Sequence, residues 1–155
     1  DMMKLENAFT DAALKGDWQP LFQYLSDRYF EDSSVRDAIG GEKNVQGYFM
    51  AYLNLSRLFV IRPELEFNHG YCDFFLLSDT KKFPVLKHSY VVELKYLKAD
   101  ATENEAKAQW HEAEEQVKKY LSDESLKRMT AGTQLHGIIL QFQNGKLFNM
   151  GEVGV

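Results

Sequence analysis

Ser89-Tyr90-Val91-Val92-Glu93-Leu94-Lys95-Tyr96-Leu97 is an apolar run with an acid and an amine set into its middle. Side chains alternate across a strand, so Glu93 and Lys95 point to one face, together with Val91 and Leu97. Burying an ion costs roughly several kcal/mol unless it pairs or binds a metal. The pattern recurs upstream in Tyr71-Cys72-Asp73-Phe74-Phe75-Leu76-Leu77, where Asp73 is the only charge and shares a face with Tyr71, Phe75 and Leu77. Cys72 is then expected to face the other way, into the core. An acid in one core strand and an acid plus an amine in the next predict a metal site with an ammonium beside it.

The rest of the chain is read outward from these two strands. The apolar spacing of Leu5, Ala8, Phe9, Ala12 and Ala13 predicts an amphipathic helix over residues 3–15, ending near Gly16. A second helix follows Asp17, with Trp18, Leu21, Phe22 and Leu25 as its stripe and Pro20 in its first turn. Breaks fall at Glu31-Asp32-Ser33-Ser34 and at Gly40-Gly41. A third helix carries Val45, Tyr48, Phe49, Tyr52 and Leu53, with Glu42 in the first turn, where the helix dipole favours a carboxylate. Leu58–Ile61 and Glu64–Phe67 read as a strand interrupted near Pro63. Asn68-His69-Gly70 is a turn, and strands follow over 71–78 and 89–97. Thr102 and Glu105 form a capping box for a helix over 102–121, with Trp110, Ala113, Val117, Tyr120 and Leu121 inward. Leu135–Phe142 and Lys146–Met150 are strands joined by the Asn144-Gly145 hairpin turn. The order α-α-α-β-β-β-α-β-β predicts an α/β fold, a mixed sheet with helices on both faces.

A chain of 155 residues favours a single domain. Its 45% hydrophobic content, with 11 Phe and 8 Tyr, argues for a folded globule. One cysteine excludes an internal disulfide framework and a cysteine-based zinc site, and suits a reducing cytoplasm. The formal net charge of −5 counts against a module that merely coats DNA. It does not exclude a nuclease, because bound divalent cations add positive charge locally. No apolar stretch is long enough to span a membrane. The start, Asp1-Met2-Met3-Lys4, lacks a signal-peptide core and an initiator, and admits an upstream domain.

If the two charged strands pair, Asp73 and Glu93 project to the same side at neighbouring positions. Two carboxylates that close do not both ionise without a cation between them. Mg²⁺ or Mn²⁺ takes oxygen ligands and needs only one or two carboxylates besides water and a substrate phosphate. Lys95 lies about 7 Å along the strand from Glu93, and its stem can bring the ammonium back to a metal-bound water or a phosphate oxygen. That arrangement suits phosphodiester hydrolysis.

Gly70-Tyr71-Cys72-Asp73, followed after a gap by Glu93-Leu94-Lys95, resembles the PD-(D/E)xK nuclease superfamily. Its restriction-endonuclease-like order of helix, meander, crossing helix and further strands runs here from about residue 40 to the end. More narrowly, Ala113-Glu114-Glu115-Gln116-Val117-Lys118-Lys119-Tyr120 resembles the crossing helix of the branch found C-terminal to AAA-like ATPase domains in Bacteroides-type bacterial proteins. The resemblance implies a metal-dependent nuclease acting on DNA rather than RNA, with Mg²⁺ or Mn²⁺ as cofactor. Asp73, Glu93 and the Leu94 carbonyl would bind the metal, Lys95 would be the catalytic lysine, Glu42 the additional helix acid and Gln116 the supporting polar residue. Cys72 stands where the nominal motif has Pro. Residues 1–39 would be a helical connection to an upstream ATPase, and residues 40–155 the nuclease-like domain.

Two other readings stand beside this one. The acidic balance and the lack of an Arg near Gly70 suit a catalytically inactive module that keeps the fold as an interaction or regulatory domain. An unrelated α/β protein would place Glu93 and Lys95 as an ion pair on a solvent face. Glu42 also reads as a dipole-stabilising acid and Gln116 as a helix-surface amide. The four histidines share no spacing and read as surface or packing residues.

Overall fold

The computed structural model of the protein describes residues 1–32, 41–63, 66–67 and 70–154, without the side chains of residues 41–43, 66–67 and 70–71. Helix α1 (Met2–Lys15) buries Leu5, Ala8, Phe9, Ala12 and Ala13, the stripe its periodicity predicts, and ends at Gly16. Helix α2 (Gln19–Glu31) begins with Pro20 in its first turn and buries Leu21, Phe22, Leu25 and Tyr29. Helix α3 (Gly41–Leu53) buries Val45, Phe49 and Leu53. The break expected at Ser33-Ser34 and the residue Gly40 lie outside the described residues.

The strands are β1 (Phe59–Pro63), β2 (Glu66–Phe67), β3 (Gly70–Tyr71), β4 (Phe74–Ser78), β5 (His88–Leu97), β6 (Gln134–Gln143) and β7 (Lys146–Glu152). Between β5 and β6 run helices α4 (Glu103–Leu121) and α5 (Glu124–Met129). Five strands make one sheet in the order β1-β4-β5-β6-β7, and β2 pairs with β3 in a separate two-stranded ribbon. Among the described strands only β5 and β6 pair in parallel, as the intervening helical crossover requires. This is the mixed α/β sheet the element order predicts.

The central strands β4, β5 and β6 are buried on both faces. Phe74, Leu76, Tyr90, Val92, Leu94, Ile138, Leu140 and Phe142 pack with α1, α2 and α3. Phe75, Val91 and Ile139 pack with Ala113, Val117, Tyr120 and Leu121 of α4. The alternation of β4, β5 and β6 therefore feeds two apolar layers, and the helices flank them. Helix α1 is tied to the first layer directly, since the buried Tyr90 hydroxyl donates to the Ala12 carbonyl at 2.7 Å. No helix among the described residues is long and apolar enough to cross a membrane.

Three expectations need correction. The strand predicted over 71–78 is broken: β3 ends at Tyr71 and β4 begins at Phe74, so Asp73 sits in a bend and not within a strand. For the same reason alternation does not carry through Cys72. It is buried, but packs with Phe75, Val91 and α4 rather than on the face opposite Asp73's neighbours. Finally, α5 was not foreseen; Asp123 caps it by accepting from the Leu126 N–H at 3.0 Å. Asn68 and His69, read as part of a turn, lie outside the described residues.

Candidate active site

Strand β5 is the middle strand of the sheet, and its burial explains why its charges need partners. Glu93 is 5% exposed. The β4–β5 register pairs Phe74 with Val92 and Phe75 with Val91, which brings Asp73 opposite Glu93 where β4 begins. The Asp73 N–H donates to the Val92 carbonyl at 3.2 Å. Its carboxylate Oδ2 accepts from the Leu94 N–H at 2.7 Å. The bend at Asp73 thus lets a side-chain oxygen take the ladder position a backbone carbonyl would hold.

That substitution also orients Leu94. The N–H and C=O of one strand residue point to the same edge, so the Leu94 carbonyl turns toward the side where β4 stops. Lys95, two residues beyond Glu93, returns its ammonium to within 3.4 Å of Glu93 Oε2. The sequence expectation that Asp73, Glu93 and Lys95 share one face is met, and that face is the one α4 covers.

The electrostatics are dominated by burial. Desolvation first, then the Asp73 charge, push the Glu93 carboxyl up to about 8, against the opposing pull of Lys95. Two acids in side-chain contact, with one amine beside them, keep one proton unless more positive charge arrives. Tyr120 of α4 joins the cluster: its buried phenol contacts Glu93, and burial, then the Glu93 charge, push it above the ordinary phenol range. Gln116 lies one turn earlier on α4, on the face of Tyr120.

Two buried oxygens are left without a hydrogen-bond partner among the described residues near this point, Glu93 Oε1 and Gln116 Oε1. Buried acceptors normally have donors, and an added donor or cation at Glu93 would satisfy its orphaned oxygen. Two carboxylates and a strand carbonyl offer oxygen ligands alone, which fits Mg²⁺ or Mn²⁺ and not a thiophilic ion. Among the described residues no three His, Cys, Asp or Glu side chains form a group able to hold a metal, so the set rests on two acids and main-chain oxygen. The side chain of Glu42, the proposed third acid, lies outside the described residues; its backbone is in the first turn of α3.

Sequence reasoning left two residues of this neighbourhood without a role. Tyr120 read only as an inward aromatic, because nothing along a helix tells which strand residue it will meet. Gln46 was passed over altogether. It is 9% exposed and its Nε2 donates to the Asp73 carbonyl at 2.8 Å. Its one signal was position: it follows buried Val45 and lies one turn after Glu42.

A family model described as the PD-(D/E)XK nuclease superfamily matches residues 40–152, which includes every one of these groups. No curated protein matches the chain.

Proposed function

The chain belongs to the PD-(D/E)XK nuclease superfamily, and on that premise we propose that it is a metal-dependent nuclease domain hydrolysing phosphodiester bonds of DNA. The observation that carries this reading is Glu93 Oε1, buried without a donor among the described residues while its carboxyl crowds Asp73. Asp73, Glu93 and the Leu94 carbonyl would hold Mg²⁺ or Mn²⁺, with Glu42 as the further acid from α3. A divalent cation held there lowers the pKa of a bound water and takes up charge on the phosphate.

The protein's own groups do the rest. Lys95 keeps an ammonium beside the acids, where it orients the attacking water or neutralises charge developing on the phosphate oxygens. Tyr120 holds the Glu93 carboxyl from α4. Gln116 offers its amide to the same cleft. Nucleic acid is the partner that superfamily membership implies, and DNA is the class the motif resemblance favours over RNA. The Ala113–Tyr120 run supports placement in the ATPase-associated bacterial branch. Residues 1–39 then serve as the helical connection to an ATPase and residues 40–155 as the nuclease unit. The single free cysteine, Cys72, suits a cytoplasmic setting.

The test is cleavage of supercoiled and linear DNA with Mn²⁺ or Mg²⁺. Glu93→Ala and Lys95→Ala are expected to abolish cleavage while their circular dichroism stays that of the wild type. Cleavage at the wild-type rate by either folded variant removes the proposal.

A further inference from the structure

Asp73 has no strand of its own to hold it. It lies between β3 and β4, in a bend where side-chain alternation no longer dictates direction. Its orientation is therefore set by hydrogen bonds. Two of them involve β5: the Asp73 N–H donates to the Val92 carbonyl, and the Leu94 N–H donates to the Asp73 carboxylate. A third comes from the other layer of the fold. Gln46 belongs to α3, which packs on the α1–α2 side of the sheet through Val45 and Phe49, yet its amide reaches the Asp73 carbonyl at 2.8 Å.

Resting on the nuclease reading above, we infer that Gln46 is a positioning residue, which fixes the Asp73–Phe74 peptide plane and so aims the Asp73 carboxylate at the metal cleft. The chemistry suits the task. A neutral amide donor can clamp a main-chain carbonyl without adding charge beside the carboxylate, whereas a cation there would compete with the metal for Asp73. Gln46 is nearly buried, so the bond is shielded from water and its loss leaves a carbonyl without that donor. The bond also joins α3, which carries Glu42, to the acid in the bend before β4.

The bond between the Leu94 N–H and Asp73 Oδ2 reports the aim of that carboxylate without metal or substrate. Amide hydrogen exchange in the metal-free full chain is compared for wild type, Gln46→Met and Gln46→Asn, whose amide is one methylene shorter. Leu94 exchange is expected to speed by about tenfold in both variants, as loss of one hydrogen bond would allow, while exchange at Ile139 in the α4 layer stays unchanged. Calorimetric titration with Mn²⁺ alone is expected to show affinity reduced about 10- to 100-fold, the range seen when an outer-shell partner is lost. Wild-type Leu94 exchange in a folded Gln46→Met or Gln46→Asn protein overturns the inference. So does faster exchange at Leu94 and Ile139 alike, which marks a general loosening. A wild-type protein that binds no Mn²⁺ overturns the nuclease reading instead, and selective exposure of Leu94 in the variants still upholds the hold of Gln46 on Asp73.

Discussion

At the scale of single residues, Glu93 concentrates the conflict between folding and function. An acid whose folded pKa is raised from 4.5 to about 8 favours the folded state while it is protonated. Its contribution is therefore lost as pH rises from the unfolded value through the folded one. Glu93→Gln keeps the shape of the protonated form and cannot ionise. In metal-free protein above about pH 8, this variant is expected to melt at a higher temperature than wild type, and to show no rise on adding Mn²⁺. A wild type that melts higher than Glu93→Gln under those conditions contradicts the burial argument. The candidate residues were legible at this scale: an acid and an amine inside an apolar run stand out because hydrophobic burial punishes them. The supporting residues were not. Gln46 and Tyr120 look like any glutamine and any core tyrosine until their partners, Asp73 and Glu93, are brought to them.

At the scale of elements, local signals held where local physics decides. The capping box is formed by Thr102 and Glu105 in both directions, and the hairpin turn places Asn144 and Gly145 at φ 56° and 75°, the left-handed region such turns require. They failed where the chain is too short or too uniform to announce itself. The six residues of α5 span under two turns and show no period. The break at Cys72–Asp73 is flanked by apolar residues that read as one strand. How closely two elements approach is equally hidden. A Cβ on Gly137 of β6 would lie 2.3 Å from Val117 Cγ1 and 3.1 Å from Leu121 Cδ1, so the absence of a side chain lets α4 settle on the sheet. Gly137→Ala is expected to destabilise the fold by about 1–3 kcal/mol, measured by urea unfolding. Adding Val117→Ala should recover part of that loss, and an additive double variant would refute the clash.

At the scale of the molecule, the parallel pairing of β5 and β6 brings together groups far apart in the chain. His88 Nδ1 lies 2.8 Å from His136 Nε2, His136 Nδ1 lies 2.6 Å from Glu152 Oε2, and the Trp18 indole donates to Glu152 Oε1 at 3.0 Å. The histidines pack as expected, yet their pairing was invisible because it depends on register. This chain ties the α1–α2 junction to three strands. Burial, then the neighbouring His136, hold His88 below its ordinary value, with Glu152 opposing. A histidine with a lowered folded pKa gives its full stability above the unfolded value of 6.5 and loses it as pH falls. Wild type is thus expected to lose melting temperature as pH falls below 6.5 more steeply than His88→Gln. Parallel slopes for the two proteins would show that His88 contributes nothing to the acid limb.

The sequence alone determined the mixed α/β class, most of the longer elements and the candidate groups Asp73, Glu93 and Lys95, because helical and strand periods and the cost of burying charge are local properties. Only the tertiary structure decided that Asp73 stands in a bend, that its carboxylate takes the Leu94 N–H, and that Gln46 and Tyr120 reach the two acids from opposite sides of the sheet. Those facts rest on register and on packing between layers, which are settled by the whole set of contacts at once and by no single stretch of chain.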